Sequence, residues 1–305
     1  MKRITGILAL LLGLFLLAGC SPSAPQGAGD PPDTSQPGTS APLEESGGAE
    51  GEITSADPPV SARFRIVDGA ESGQLLLAAL DENSFGSVFS LNLCEMGVLL
   101  DGELADSTTL EDGMVIRVTW QDSGILETYP AQLSGVRSIE AWSLGSEQNP
   151  GGGYYDLCGL YLQVLNDLWE EDSALNEGKS VIALDLTQAP GGLTDSEKAA
   201  LAWRFGELHG ADVLLSTFDQ LKEEGALTEQ ITENGNTLYS WEDGCLFSIE
   251  SHATDQEELY SLPVLRFDAS KWCGPLAAYF FYDCTAVWPE LGTWTGYSVG
   301  AEMIS

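Results

Sequence analysis

Val181-Ile182-Ala183-Leu184-Asp185-Leu186, then Thr194-Asp195-Ser196-Glu197, then Asp212-Val213-Leu214-Leu215, is the run that decides the fold. The first six residues form an almost unbroken apolar stretch, the pattern of a strand buried on both faces. Thr194 followed three residues later by Glu197 has the form of a capping box, in which the two side chains satisfy each other's backbone donors. The helix it opens carries Leu201, Phe205 and Leu208 at helical spacing and meets Gly210 just past its end. Strand, helix and strand within about 35 residues predict one right-handed parallel crossover.

Moving upstream, Leu157, Tyr161, Val164, Leu165 and Leu168 predict an amphipathic helix with Gln163, Asn166, Asp167 and Glu170 outward. That helix ends on Glu170-Glu171-Asp172, carboxylates where the helix dipole favours a cation. The end reads either as a solvated acidic tip or as a cation site. Asn149-Pro150-Gly151-Gly152-Gly153 before it reads as a hinge. Downstream, Thr217-Phe218-Asp219-Gln220 predicts a second cap on a two-turn helix stopped by Gly225. Asn234-Gly235-Asn236 predicts a hairpin turn. Strands follow at Cys245–Glu250, 263–267, 277–288 and 294–299. The aromatic residues of Lys271–Tyr297 read as core or as a binding surface. Residues 153–305 are thus expected to be an α+β domain with one βαβ crossover and an antiparallel C-terminal sheet.

Between about 60 and 147 the pattern changes to alternation. Phe64 and Ile66, Leu75 and Leu77, and Val88, Phe89, Leu91 and Leu93 fall in short runs separated by Asp68-Gly69, Ser72-Gly73 and Asp81-Glu82-Asn83. Met114–Trp120, Ile125–Leu133 and Val136–Trp142 add further strands. This spacing predicts a small antiparallel barrel or sandwich. Thr109–Val118 followed by Gly124–Gln132, with Glu127-Thr128-Tyr129-Pro130-Ala131, resembles a small domain of unknown function common in Gram-positive lipoproteins. The resemblance covers roughly 62–142 and implies an OB-like barrel and an exported location; it brings no catalytic residues. Gly113 and Gly124 are expected at positive-φ turns. Tyr129 and Trp120 read as core or as a ligand face.

Ser21–Pro59 is rich in Pro, Gly, Ser and acids and is expected to be a disordered tether spanning roughly 35 Å. Before it, Met1-Lys2-Arg3 and the apolar run Ile7–Ala18 have the form of a signal peptide over 1–19, shorter than a spanning helix needs. The run closes on Leu17-Ala18-Gly19-Cys20, which resembles the lipobox of bacterial lipoproteins. That resemblance implies cleavage before Cys20, a lipid on its sulfur, and a protein anchored at the outer face of the cell membrane. An ordinary secreted protein cut after Ala18 or Gly19 is the alternative.

The chain has a net charge of −35, and loss of Lys2 and Arg3 with residues 1–19 takes it to −37. Such a surface repels nucleic acid and anionic headgroups and suits divalent cations, basic peptides or cationic wall components. Beyond Cys20, the cysteines at 94, 158, 245, 273 and 284 are odd in number and irregularly spaced, which is no disulfide framework. One bridge, Cys273 with Cys284 or with Cys245, and free buried thiols are both open readings. With only His209 and His252 and no CxxC, the sequence implies no metal and no cofactor. His209 reads as a cap at a helix C-terminus.

Gly178-Lys179-Ser180 is not a P-loop, because residue 173 is Ser and the strand follows the loop. The turn at 81–86 fails as a calcium loop, with Phe85 at a ligand position and Asn92 where a bidentate Glu belongs. One constellation stands out: Asp185 with Ser216 and Thr217, expected at the carboxyl ends of neighbouring parallel strands, where open α/β sheets bind ligands. The expectation is a non-catalytic binding module for an extracellular protein or cell-wall partner. The alternative is an envelope hydrolase with an acidic site near Asp185.

Overall fold

The expected helices and most of the expected strands form, but Val98–Leu100, Glu103–Ala105 and Ala301–Ile304 are strands that the patterning did not show, and the expected strand Ile125–Leu133 splits into two. A computed structural model describes residues 58–82, 86–93, 96–121, 124–149, 155–252, 264–288 and 292–305. The signal segment, Cys20, the tether to residue 57, Cys94, residues 83–85 of the turn at 81–86 and residues 150–153 of the hinge lie outside the described residues.

Nine strands build the first sheet: β1 (Pro59–Asp68), β2 (Gln74–Ala79), β3 (Val88–Asn92), β4 (Val98–Leu100), β5 (Glu103–Ala105), β6 (Val115–Gln121), β7 (Ile125–Leu126), β8 (Ala131–Leu133) and β9 (Val136–Trp142). Their order is β5-β4-β9-β6-β1-β2-β3-β8-β7. The β4–β5 and β7–β8 hairpins lie at opposite ends of this order and join it in parallel, β4 on β9 and β8 on β3. The sheet is therefore mixed where an antiparallel one was expected, and no closed barrel is found among the described residues. Alternation puts Phe64, Phe89 and Trp120 into one aromatic cluster, with ring centroids 5.1 and 6.1 Å from Phe64. Trp120 is therefore core. Gly113 has φ +87°, as its turn requires. Gly124 does not take a positive φ; it is glycine because a Cβ there would sit 2.2 Å from the Ser134 carbonyl.

Helix α1 (Leu157–Glu170) leads to β10 (Val181–Asp185), α2 (Asp195–His209) and β11 (Asp212–Leu215), the expected crossover, with β10 and β11 parallel. Then come α3 (Phe218–Glu223), the hairpin β12 (Thr228–Ile231) and β13 (Thr237–Ser240), and strands β14 (Gly244–Ser251), β15 (Val264–Gly274), β16 (Ala277–Val287), β17 (Tyr297–Ser298) and β18 (Ala301–Ile304). The second sheet runs β11-β10-β14-β15-β16-β17, with β18 also on β16. Because β14 joins β10 in parallel, the sheet is mixed, and the chain as a whole is a mostly-β α+β structure.

Ser55–Ser305 form one compact unit with a core continuous through both sheets. Helix α2 makes that continuity. It packs on β1, β2 and β3 on one flank and on β11 and α1 on the other. Its buried set is accordingly wide: Ala200, Leu201, Ala202, Phe205 and Gly206, the small residues letting neighbours close in. Leu208, expected on the core face, is 45% exposed.

The acidic tip of α1 is answered from β15. Lys271, 0% exposed, sets its three ammonium protons among four acceptors, the carbonyls of Trp169 (3.2 Å), Glu171 and Asp172 (3.3 Å) and Asn176 Oδ1 (2.7 Å), so at least one proton is shared. Glu170, Glu171 and Asp172 themselves face solvent. The positive charge that the helix dipole calls for is thus a lysine, bonded to main-chain oxygens.

Candidate functional site

Asp185, Ser216 and Thr217 do come together at the carboxyl ends of β10 and β11, where register places Leu184 opposite Leu215 and Asp185 opposite Ser248. Each is engaged locally. Asp185 Oδ1 accepts from Thr187 N (3.0 Å) and Thr187 Oγ1 (2.6 Å), closing its own turn. Ser216 is buried; its amide donates to Leu184 O and its hydroxyl points to Thr217 O at 3.4 Å. Thr217 is the N-cap of α3, with its box partner Gln220 at 2.8 and 3.2 Å. Here the residues build turns and caps.

His209 stacks on Trp169 (4.1 Å between centroids, 22° between planes) and its Nε2 meets Asn166 Oδ1 at 2.8 Å. Burial holds its pKa below the ordinary value, so the neutral ring is favoured in this aromatic seam between α1 and α2. His252, at the end of β14, faces Asp268 through Nδ1 (2.9 and 3.0 Å) and Asp283 through Nε2 (3.9 Å), and Arg266 pairs with Asp283 at 3.2 Å. Both ring nitrogens face carboxylates.

The larger concave feature lies along α2. The β1–β2 turn supplies Asp68, Gly69, Glu71 and Ser72; β2 and β3 supply Leu76 and Ser90; α2 supplies Trp203 and Arg204; Asp112 closes the wall. The cavity holds about 690 Å³. Arg204 pairs with Asp68. Asp112 accepts from Ala70 N at 3.0 Å, and burial pushes its carboxyl above the usual range. Trp203 also walls a second cavity of about 590 Å³, lined by Tyr129, Glu207, Asp212, Val213 and Leu215. Tyr129 is 65% exposed there. An aromatic partition between two pockets edged with carboxylates can hold a ligand that is cationic and partly apolar, through charge and ring contact.

No sequence signal marked this groove, because Asp68, Asp112 and Trp203 come from segments far apart in the chain. Tyr129 was one side of an open choice and stands on the surface side. Among the described residues no group of His, Cys, Asp and Glu is placed to hold a metal ion, and no helix is long and apolar enough to cross a membrane. Compared with family models, curated proteins and solved structures, the chain matches none.

Proposed function

We propose that this protein is a lipoprotein, held at the outer face of the cell membrane by lipid on Cys20, that binds a cationic ligand in the groove along α2 without converting it. The anchoring half of this reading rests on Leu17-Ala18-Gly19-Cys20, the basic Lys2-Arg3 before it and the tether behind it. The OB-like kinship of residues 62–142 belongs to the same reading and rests on the Glu127–Ala131 run. The binding half rests on one observation: Trp203 stands between two cavities whose rims carry Glu71, Asp112, Glu207 and Asp212, Asp68 being already paired with Arg204. With the chain at −35, long-range attraction favours basic peptides and amine-bearing wall polymers over nucleic acid. The hydrolase alternative has less behind it, since Asp185, Ser216 and Thr217 are spent on turn and cap bonds.

The full chain should bind short lysine-rich peptides or amine-bearing wall fragments in calorimetry, with affinity that falls as salt screens the charge. Trp203→Ala and Asp112→Asn should each weaken that binding about tenfold, roughly one cation–π or charged contact. Binding indifferent to both substitutions would remove the groove from the proposal. In cells, Cys20→Ser should release the protein from the membrane fraction; retention there would remove the lipid anchor.

A further inference from the structure

Cys245 on β14 and Cys273 on β15 face each other across an antiparallel ladder. Leu246 pairs with Trp272, the end of the ladder, and Cys245 and Cys273 are the next residues beyond that pair. Their sulfurs are 2.9 Å apart and share a hydrogen bond. A disulfide holds its sulfurs about 2.05 Å apart, so an approach of under about 1 Å closes this pair. Cys284 is not a competing partner for Cys273: it pairs with Phe267, six positions along β15 and hence roughly 20 Å away.

We propose that Cys245 and Cys273 are a disulfide site, reduced in this structure, that closes by exchange with a small organic disulfide. This site is separate from the groove and does not depend on it. Three features of its surroundings support the assignment. The hydrogen bond between the two sulfurs, and after it the charges of Lys179 and Lys271, hold the Cys273 thiol below its ordinary range. The same bond, and burial, push Cys245 up. Cys273 also keeps slight solvent exposure, whereas Cys245 has none. Cys273 is therefore the nucleophile, since the thiolate is the attacking species. Its sulfur displaces one thiol from the small disulfide RSSR, forming a mixed disulfide. Cys245 then attacks the Cys273 sulfur, expels the second thiol and forms the Cys245–Cys273 bond. The two cysteine protons end on two RSH, so the protein is oxidised by two electrons and RSSR is reduced by two.

The test is to incubate the reduced full chain with 2-hydroxyethyl disulfide, block remaining thiols, and cleave before aspartates. Asp243, Asp268 and Asp283 put Cys245, Cys273 and Cys284 on three different peptides. The expected result is a linked pair of the first two, with a thiol titre lower by two. Cys245→Ala should instead accumulate the reagent on Cys273. Recovery of Cys245 and Cys273 as blocked thiols, or linkage of either to another cysteine, overturns the assignment; the wild-type map decides even if the variant does not fold.

Discussion

Arg65 on β1 donates Nε to Glu197 Oε1 at 2.6 Å, so the carboxylate that caps α2 is also the tie between that helix and the first sheet. Glu197 is 5% exposed and its other oxygen accepts from Thr194 N and Oγ1, both at 2.8 Å. Arg65 in turn donates Nη1 to the Gly113 carbonyl at 2.8 Å. One buried carboxylate thus serves helix start and sheet packing together. Replacing Arg65 by Met leaves that carboxylate short of a cation, at a cost of about 2–3 kcal/mol. In urea unfolding, Arg65→Met and Glu197→Gln should show coupling of about 1 kcal/mol or more in a double-mutant cycle. Additive losses would mean that the pair contributes little beyond its two halves.

Lys271→Met should cost about 3 kcal/mol or more, because it orphans main-chain carbonyls at the buried end of α1. The loss should appear first as faster amide exchange in the last turn of α1. Unchanged exchange there would mean that the carbonyls find other donors.

Asp156, the N-cap of α1, supplies a pH signature. Burial raises its pKa from 3.8 to about 6. A carboxyl raised on folding binds its proton more tightly in the folded state, so stability falls as pH climbs from about 4 through 6 and is level above. The amplitude is about 2–3 kcal/mol. Asp156→Asn should abolish that slope while keeping a side chain suited to the cap and to φ 56°. His209 contributes the opposite slope, because its folded pKa is lowered and protonation below the ordinary histidine range favours unfolding. Subtracting the variant's curve from the wild type's isolates Asp156; a difference that does not change with pH would refute the assignment.

Asp185→Asn tests the alternative site. If Asp185 only closes its turn with Thr187, the substitution should cost at most about 1 kcal/mol and leave ligand binding in the α2 groove untouched. A hydrolytic activity of the wild type that vanishes in this variant would restore the enzyme reading.

Legibility in the sequence followed the range of the interaction. Thr194 with Glu197 and Thr217 with Gln220 are three residues apart, and both capping boxes form. Gly210 at φ 61° ends α2 as expected. The hairpin around Gly235 also forms, though with a longer loop, since Thr232 bonds across to Asn236. The partners of these elements were not legible. Arg65 finds Glu197 across 132 residues, and Lys271 reaches back 102 residues to Trp169 in α1. A lone lysine in a strand pattern carries no mark of the helix end it will serve. For the same reason the acidic tip of α1 posed a question that only the fold answers. The groove is the extreme case, since its walls come from two sheets and a helix.

Helix α2 has no free flank in the core: one side belongs to the first sheet, the other to β11 and α1. Melting either sheet would strip away one of the two flanks against which the helix is buried. Heat should therefore take both sheets apart in one cooperative step, with calorimetric and van't Hoff enthalpies in agreement. Anything lodged against Trp203 would then raise the melting point of strands far from it, making α2 the axle on which the stability of the whole molecule turns.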